Sequence, residues 1–224
     1  MDAAKLLPAS EPFPVVFIVD DDISVRESLE ALINFEGLRP KTYASAEEFL
    51  AGPRVHGPGC LILDVSLPDL NGLDLQKILA TDQCHMPIIF ITGHGDIPMT
   101  VQAMRAGAVE FLTKPINDEA LLIAIGHAID RSNAELGRKA ELQILHDRWA
   151  SLTPREREVI ELVVSGLLNK QAGLKLGISE ITVKAHRGKA MSKMEADSLA
   201  DMVKMALKLG LAPAKNPWHF ARVS

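Results

Sequence analysis

Cysteine is nearly absent: the 224 residues contain only Cys60 and Cys84. Two thiols without a CxxC partner build neither a disulfide framework nor a zinc site, and both are expected in the core. Long apolar runs are missing as well. Uninterrupted stretches such as VVFIV at 15–19 reach about a third of the roughly 18 residues a membrane helix requires, which excludes a membrane-spanning helix as the reading of any of them. The opening MDAAKLLPASEP has an acidic second residue and no apolar stretch behind a basic start. No secretory signal is expected, and the cytoplasm is the expected location. The histidines His56, His85, His94, His127, His146, His186 and His219 have no spacing suited to a metal. With 47% hydrophobic and 24% charged residues, collagen-like and low-complexity classes are also excluded.

What remains is an ordinary globular composition, long enough for two small domains. The net charge of -5 conceals an asymmetry: residues 1–150 hold 12 Lys/Arg against 22 Asp/Glu, and residues 151–224 hold 12 against 7. An acidic half followed by a basic half suggests cation binding in the first and a polyanion, nucleic acid, for the second. Solvated faces that merely differ in sign would give the same totals.

The first half alternates. Short apolar runs stand at VVFIV (15–19), CLIL (60–63), IIFI (88–91) and VEFL (109–112), with a weaker one at RPKTY (39–43). Helical spacing lies between them, as in Val25, Leu29, Leu32 and Ile33, or Met99, Val101, Met104 and Ala108 behind Pro98. Apolar strands separated by amphipathic helices predict a parallel sheet covered on both faces. Asp20 and Asp21 close the first run, Asp64 the third and Thr92 the fourth, and Lys114 follows the last. In a parallel sheet these are all carboxyl ends, so the side chains are expected to converge on the edge where doubly wound sheets bind ligands. Massed carboxylates repel unless a divalent cation neutralises them, and an all-oxygen donor set suits Mg2+. A lysine and a hydroxyl beside them are what a phosphoryl group needs. Singly, each residue has a plainer reading: an aspartate pair as turn and helix cap, with Asp22 or Ser24 capping, and Thr92-Gly93 as ordinary turn chemistry.

IVDDD, LILDVSLPDLNG and FITGHGDIPMTVQAMRAGAVEFLTKP together resemble the receiver domain of two-component response regulators, of the NarL/FixJ type, over residues 13–130. The resemblance implies that Asp64 is the phosphoacceptor for a sensor histidine kinase. It further implies that Asp21, Asp64 and the Ser66 carbonyl hold Mg2+ directly with Asp20 acting through water. Thr92 and Lys114 would contact the phosphoryl group, and Lys114-Pro115 would be cis. Phe111 would be an aromatic switch, or else simply a buried strand aromatic. Such a protein is a phosphoacceptor, with slow autodephosphorylation only, and not an enzyme. Phosphorylation would bias residues 97–113 toward a homodimer.

Residues 131–150 read as the last receiver helix prolonged into a solvated helical linker, with Ile125, Ile129, Leu136 and Ala140 hinting at a pairing seam. At Thr153, with Pro154 and Glu156, a capping box opens a helix to about Val164. A second helix spans Asn169 to Gly177, and Ser179 caps a third to about Met194. The short turn between them is a helix-turn-helix candidate. Leu199, Met202, Val203, Ala206 and Leu209 stripe a fourth helix. On the third, Val183, Ala190 and Met194 share the face expected inside, while Ile181, Lys184, Ala185, Gly188 and Ser192 lie opposite. A small-residue stripe flanked by cations suits a major groove, although a merely solvated basic face is the plainer alternative.

LTPREREVIELVVSGLLNKQAGLKLGISEITVKAHRGKAMSKM followed by SLADMVKMALKLG is similar to the LuxR-type helix-turn-helix domain, assigned here to 151–212 with a tail at 213–224. The fold class is thus α/β, a doubly wound five-stranded parallel sheet (receiver, flavodoxin-like), followed by a small all-α helix-turn-helix domain. The resemblance implies a double-stranded DNA operator, with Lys184, Ala185 and Gly188 at the bases and Thr182, His186, Arg187, Lys189 and Lys193 mainly on phosphates. Ala172-Gly173 replaces the usual Ile-Ala, and Ala190 a larger aliphatic, which predicts a loosely packed domain. Two other classes compete. A Mg2+-dependent phosphatase would need a carboxylate where Ser66 stands, and a relay module would have lost DNA binding.

Overall fold

The computed structural model describes residues 13–53, 57–81, 86–93, 95 and 97–211. Cys84, His56, His85, His94, His219 and the 213–224 tail lie outside the described residues. Two compact units divide between Gly137 and Arg138.

The first unit alternates strand and helix: β1 (Val15–Val19), α1 (Ile23–Phe35), β2 (Arg39–Tyr43), α2 (Ala46–Ala51), β3 (Gly59–Asp64), α3 (Gly72–Thr81), β4 (Ile88–Thr92), α4 (Ile97–Arg105), β5 (Glu110–Thr113) and the start of α5 (Asp118–Ala150). All strands pair in parallel in the order β2-β1-β3-β4-β5. The period of two along each strand explains the double layer. Val15, Phe17, Val19, Leu61, Leu63 and Phe90 turn to one side, where Leu73, Leu75 and Leu79 of α3 and Ala103 of α4 cover them. Val16, Ile18, Cys60, Ile62, Ile89 and Ile91 turn to the other, under Leu29 and Ile33 of α1 and Leu121, Ala124, Ile125 and Ala128 of α5. Burial on both faces is why these strands read as unbroken apolar runs. Cys60 lies in this core as expected, and burial pushes its thiol up to about 12, which keeps it protonated.

Two readings of helices need correction. Ala108 is not on α4, which ends at Arg105 before Gly107 at φ +93°, although Ala108 is buried beyond it. Ile125 and Ile129 do not form a pairing seam: they pack on the sheet with Leu121 and Ala128, at helical spacing.

The second unit contains α6 (Pro154–Val164), α7 (Asn169–Leu176), α8 (Glu180–Met194) and α9 (Leu199–Lys208). The caps fall where the sequence puts them, with Thr153 and Glu156 reciprocally bonded at α6 and the Ser179 side chain accepting from the Thr182 N–H at α8. Gly177, at φ +67°, closes α7 in the left-handed conformation and permits the tight turn into α8. Gly173 has a reason of its own. A Cβ there would stand 2.7 Å from the Ile178 carbonyl oxygen, so the turn could accept alanine only by moving back. The close approach, sealed by the Ile178 N–H donating to the Gly173 carbonyl at 3.0 Å, offsets the helix-interior glycine cost that the sequence suggests.

The stretch 131–150 is not solvated linker throughout. Residues 136–144 are exposed, but Leu145 is buried in the core of the second unit with Leu152, Ile160, Ala190, Met194 and Met202, and Trp149 packs against it. Arg148 ion-pairs with Glu195, and Lys208 reaches Glu141 at 3.2 Å. A fragment beginning at 151 therefore loses part of its core. It is expected to be about 3–5 kcal/mol less stable than one beginning at 138, the cost of removing one large buried side chain and part of another; urea unfolding of the two fragments measures the difference.

Candidate functional site

Strand ends build the first site. Asp20 and Asp21 follow β1, Asp64 is the last residue of β3, Thr92 the last of β4, and Lys114 follows β5. β1 and β3 are neighbours from which the chain winds in opposite directions, so the carboxyl ends open a crevice there. One carboxylate oxygen each from Asp20, Asp21 and Asp64 lies within 4.8 Å of the others. Asp20 is 0% and Asp64 4% exposed, while Asp21 is exposed.

Local backbone fixes these carboxylates. The Asp22 N–H donates to Asp20 Oδ1 at 2.9 Å, and the Ser66 N–H to Asp64 Oδ1 at 2.9 Å. Asp22 is the N-cap of α1, accepting from the Ser24 N–H at 2.8 Å. The plainer reading of the acidic run thus holds for one aspartate and leaves the other two for the crevice. Gly72 opens α3 so close beneath Asp64 that an added Cβ would stand 2.5 Å from the Asp64 carbonyl oxygen.

Lys114 closes the cluster, its Nζ donating to Asp20 Oδ2 at 2.7 Å and to Asp64 Oδ2 at 2.6 Å. The Lys114 N–H donates to the Thr92 carbonyl at 2.7 Å, and the Lys114-Pro115 peptide is cis. Burial pushes the Asp20 carboxyl above its ordinary value, and the hydrogen bonds from Lys114 and Asp22 only partly offset this. Burial would lower Lys114, but its hydrogen bonds to Asp20 and Asp64 outweigh that and hold it above the ordinary lysine value. Among the described residues, the Lys114 ammonium is what bonds both buried carboxylates. Oxygen donors alone, without nitrogen or sulfur, make this a fit for a hard divalent cation. Thr92 is fully buried at the same edge. Phe111 is half-buried on β5, with its ring 6.2 Å from that of Phe90.

The second site lies on α8. Val183, Ala190 and Met194 are buried, and Ile181, Lys184, Ala185, Gly188, Lys189 and Ser192 are exposed, as the helical period predicts. His186, Arg187 and Thr182 are half-buried on the flanks. Arg187 donates to Asn169 Oδ1 at 3.1 Å. Lys193 is exposed as well. Its ammonium donates to the nearly inaccessible Glu156 at 2.7 Å and to the Ser151 carbonyl at 3.3 Å, so it is tied into the domain. Helix periodicity gave its direction but not a partner so distant in sequence.

Lys193 above all, and then the Thr153 N–H, hold the Glu156 carboxyl below the ordinary 4.5. A depressed carboxylate stabilises the fold fully above its unfolded value, and that contribution is lost as pH falls through the folded one. Lys193→Leu is accordingly expected to cost about 1–2 kcal/mol at pH 7, discounted for the solvent at the lysine. The difference from the parent chain is expected to shrink below pH 4.5, as urea unfolding across pH would measure.

Comparison with known proteins gives each unit a family. Residues 16–126 match the response regulator receiver domain family, and residues 150–206 match the luxR family of bacterial regulatory proteins. Nodulation protein W of Bradyrhizobium diazoefficiens is 48% identical over 198 residues, 88% of this chain and 87% of that protein. The transcriptional regulatory protein FixJ of Azorhizobium caulinodans is 43% identical over 211 residues, 94% of this chain and 98% of its own length. Among solved structures, the response regulator StyR aligns with a TM-score of 0.76 at 44% identity, covering 88% of this chain and 99% of StyR. With a receiver sheet whose carboxyl edge gathers three aspartates and a lysine, and a helix-turn-helix unit following it in the sequence, the chain belongs to the two-component response regulators of the NarL/FixJ type.

Proposed function

We propose that Asp64 accepts a phosphoryl group from the phosphohistidine of a sensor histidine kinase, and that this controls binding of the second unit to a double-stranded DNA operator. The observation that carries the reading is the gathering of Asp20, Asp21, Asp64 and Lys114 at one sheet edge. Asp21 and Asp64 would hold Mg2+ with the Ser66 carbonyl, and Asp20 would contribute chiefly through water. When bound, the ion neutralises the crowded carboxylates and the charge on the transferred phosphoryl oxygens.

The chain's own residues do the rest. The Ser66 N–H orients the Asp64 carboxylate, one of whose oxygens forms the new O–P bond. The N–P bond of the donor breaks, and its imidazole keeps the electron pair and takes up a proton from solvent. Lys114, already against Asp64 Oδ2, is placed to pair with the incoming oxygens, and the Thr92 hydroxyl to donate to them. The acyl phosphate carries roughly -1.5 to -2 charges in place of the carboxylate's single one, drawing Thr92 and Lys114 toward it and biasing α4 and β5, with Phe111 as the aromatic that follows. Ile97, Val101 and Met104 leave an exposed apolar row on α4 at helical spacing, which supports residues 97–113 as the homodimer face. Ser66, where a phosphatase would need an acid/base carboxylate, favours a phosphoacceptor over a turnover enzyme.

On α8, Lys184, Ala185 and Gly188 are assigned to base edges and Thr182, His186, Arg187, Lys189 and Lys193 mainly to phosphates, Lys193 also bracing Glu156. DNA as the target implies the cytoplasm as the working compartment. The test is DNA affinity of the full chain before and after treatment with a small phosphodonor and Mg2+. Tighter binding with a steep salt dependence is expected; affinity indifferent to the phosphodonor would contradict the control mechanism.

A further inference from the structure

We infer that Ile181, together with Ala185, reads the methyl group of a thymine, so that this regulator recognises its operator in part by apolar contact. The inference rests on the reading of α8 as the operator-reading helix. Ile181 is 80% exposed in the first turn of α8, the part of a recognition helix that meets base edges. Ala185 stands one turn further on the same face and is also exposed. A branched aliphatic left this bare contributes nothing to the core of its own domain, which takes Val183, Ala190 and Met194 from the helix instead.

Several polar side chains of α8 have partners within the domain in the free protein. The Thr182 hydroxyl bonds the Ser179 hydroxyl at 2.8 Å, Lys184 pairs with Glu180 at 3.0 Å, Arg187 holds Asn169, and Lys193 holds Glu156. Beside these polar groups the exposed face carries two aliphatic side chains, Ile181 and Ala185. In the major groove, the thymine C5-methyl is the group that an exposed aliphatic side chain can distinguish. Apolar contact at Ile181 therefore selects thymine against cytosine, which lacks that methyl.

Selection of duplexes from a random library by the full-length chain, treated with a small phosphodonor and Mg2+, tests this. Each thymine of the enriched sequence is then replaced by uracil, which removes only the methyl. A replacement in one half-site is expected to weaken binding roughly fourfold for the parent chain, the effect of one buried methyl group. It should do so equally for Ile181→Val and have a clearly smaller effect on Ile181→Ser, in which only Ala185 is left against the methyl. An enriched sequence in which no uracil replacement separates the parent chain from Ile181→Ser overturns the inference and leaves DNA binding intact. Failure to enrich any sequence overturns the DNA-binding reading itself, and the inference with it.

Discussion

Asp64→Asn is expected to abolish phosphoryl uptake from a small phosphodonor with Mg2+, a loss to background. The amide nearly matches the carboxylate in shape, so the Ser66 N–H can still reach its oxygen and the fold should persist. An amide oxygen, however, is a far weaker nucleophile and cannot yield the acyl phosphate. The carboxylate itself is held at both ends, by Ser66 at 2.9 Å and by Lys114 at 2.6 Å. Radiolabel incorporation, alongside circular dichroism to confirm folding, measures the effect. Wild-type labelling in the variant would move the acceptor to another residue.

Lys114→Met carries the second large expectation. The ammonium is the partner that the side chains of buried Asp20 and Asp64 share, and its removal strands both carboxylates. Breaking a buried ion pair costs about 3–5 kcal/mol, and the lower end applies because the lysine side chain is 22% exposed. The penalty should diminish as pH falls, since Asp20, whose carboxyl burial already pushes up, then takes a proton. It should also diminish with added Mg2+, because an ion bound by the native state alone stabilises it by mass action. Thermal unfolding with and without Mg2+ checks both. A variant as stable as the parent in metal-free buffer would show that the lysine does not hold the cluster together.

Much of this was legible in the sequence, for a definite reason. A sheet buried on both faces demands unbroken apolar strands, so the residues ending the interior runs, Asp64 and Thr92, mark the carboxyl edge without further information. The two faces of α8 were legible because one period decides which of its residues point inward. Less legible were features set by distant partners. Leu145 and Trp149 sit in a charged helical stretch that looks solvated, and their destination is a core formed by Leu152, Ile160 and Met194; their spacing of four, shortly before Leu152, was the available signal. Ile125 and Ile129 suggested a second chain because an apolar helix stripe does not announce what covers it, and here the sheet does. Lys193 lies at the edge of the exposed face, yet its ammonium turns to Glu156. The sequence also priced Gly173 as a defect, since the approach of the Ile178 carbonyl exists only once the turn is formed.

The most direct measurement is the chemical position of the phosphoryl group. Borohydride reduces an aspartyl phosphate to homoserine and leaves free carboxylates untouched. Reduction of the phosphorylated chain followed by peptide mass spectrometry is predicted to find that conversion at Asp64, dependent on Mg2+, with Asp20 and Asp21 intact. Conversion at either of those aspartates, or a label that withstands borohydride, would contradict the account.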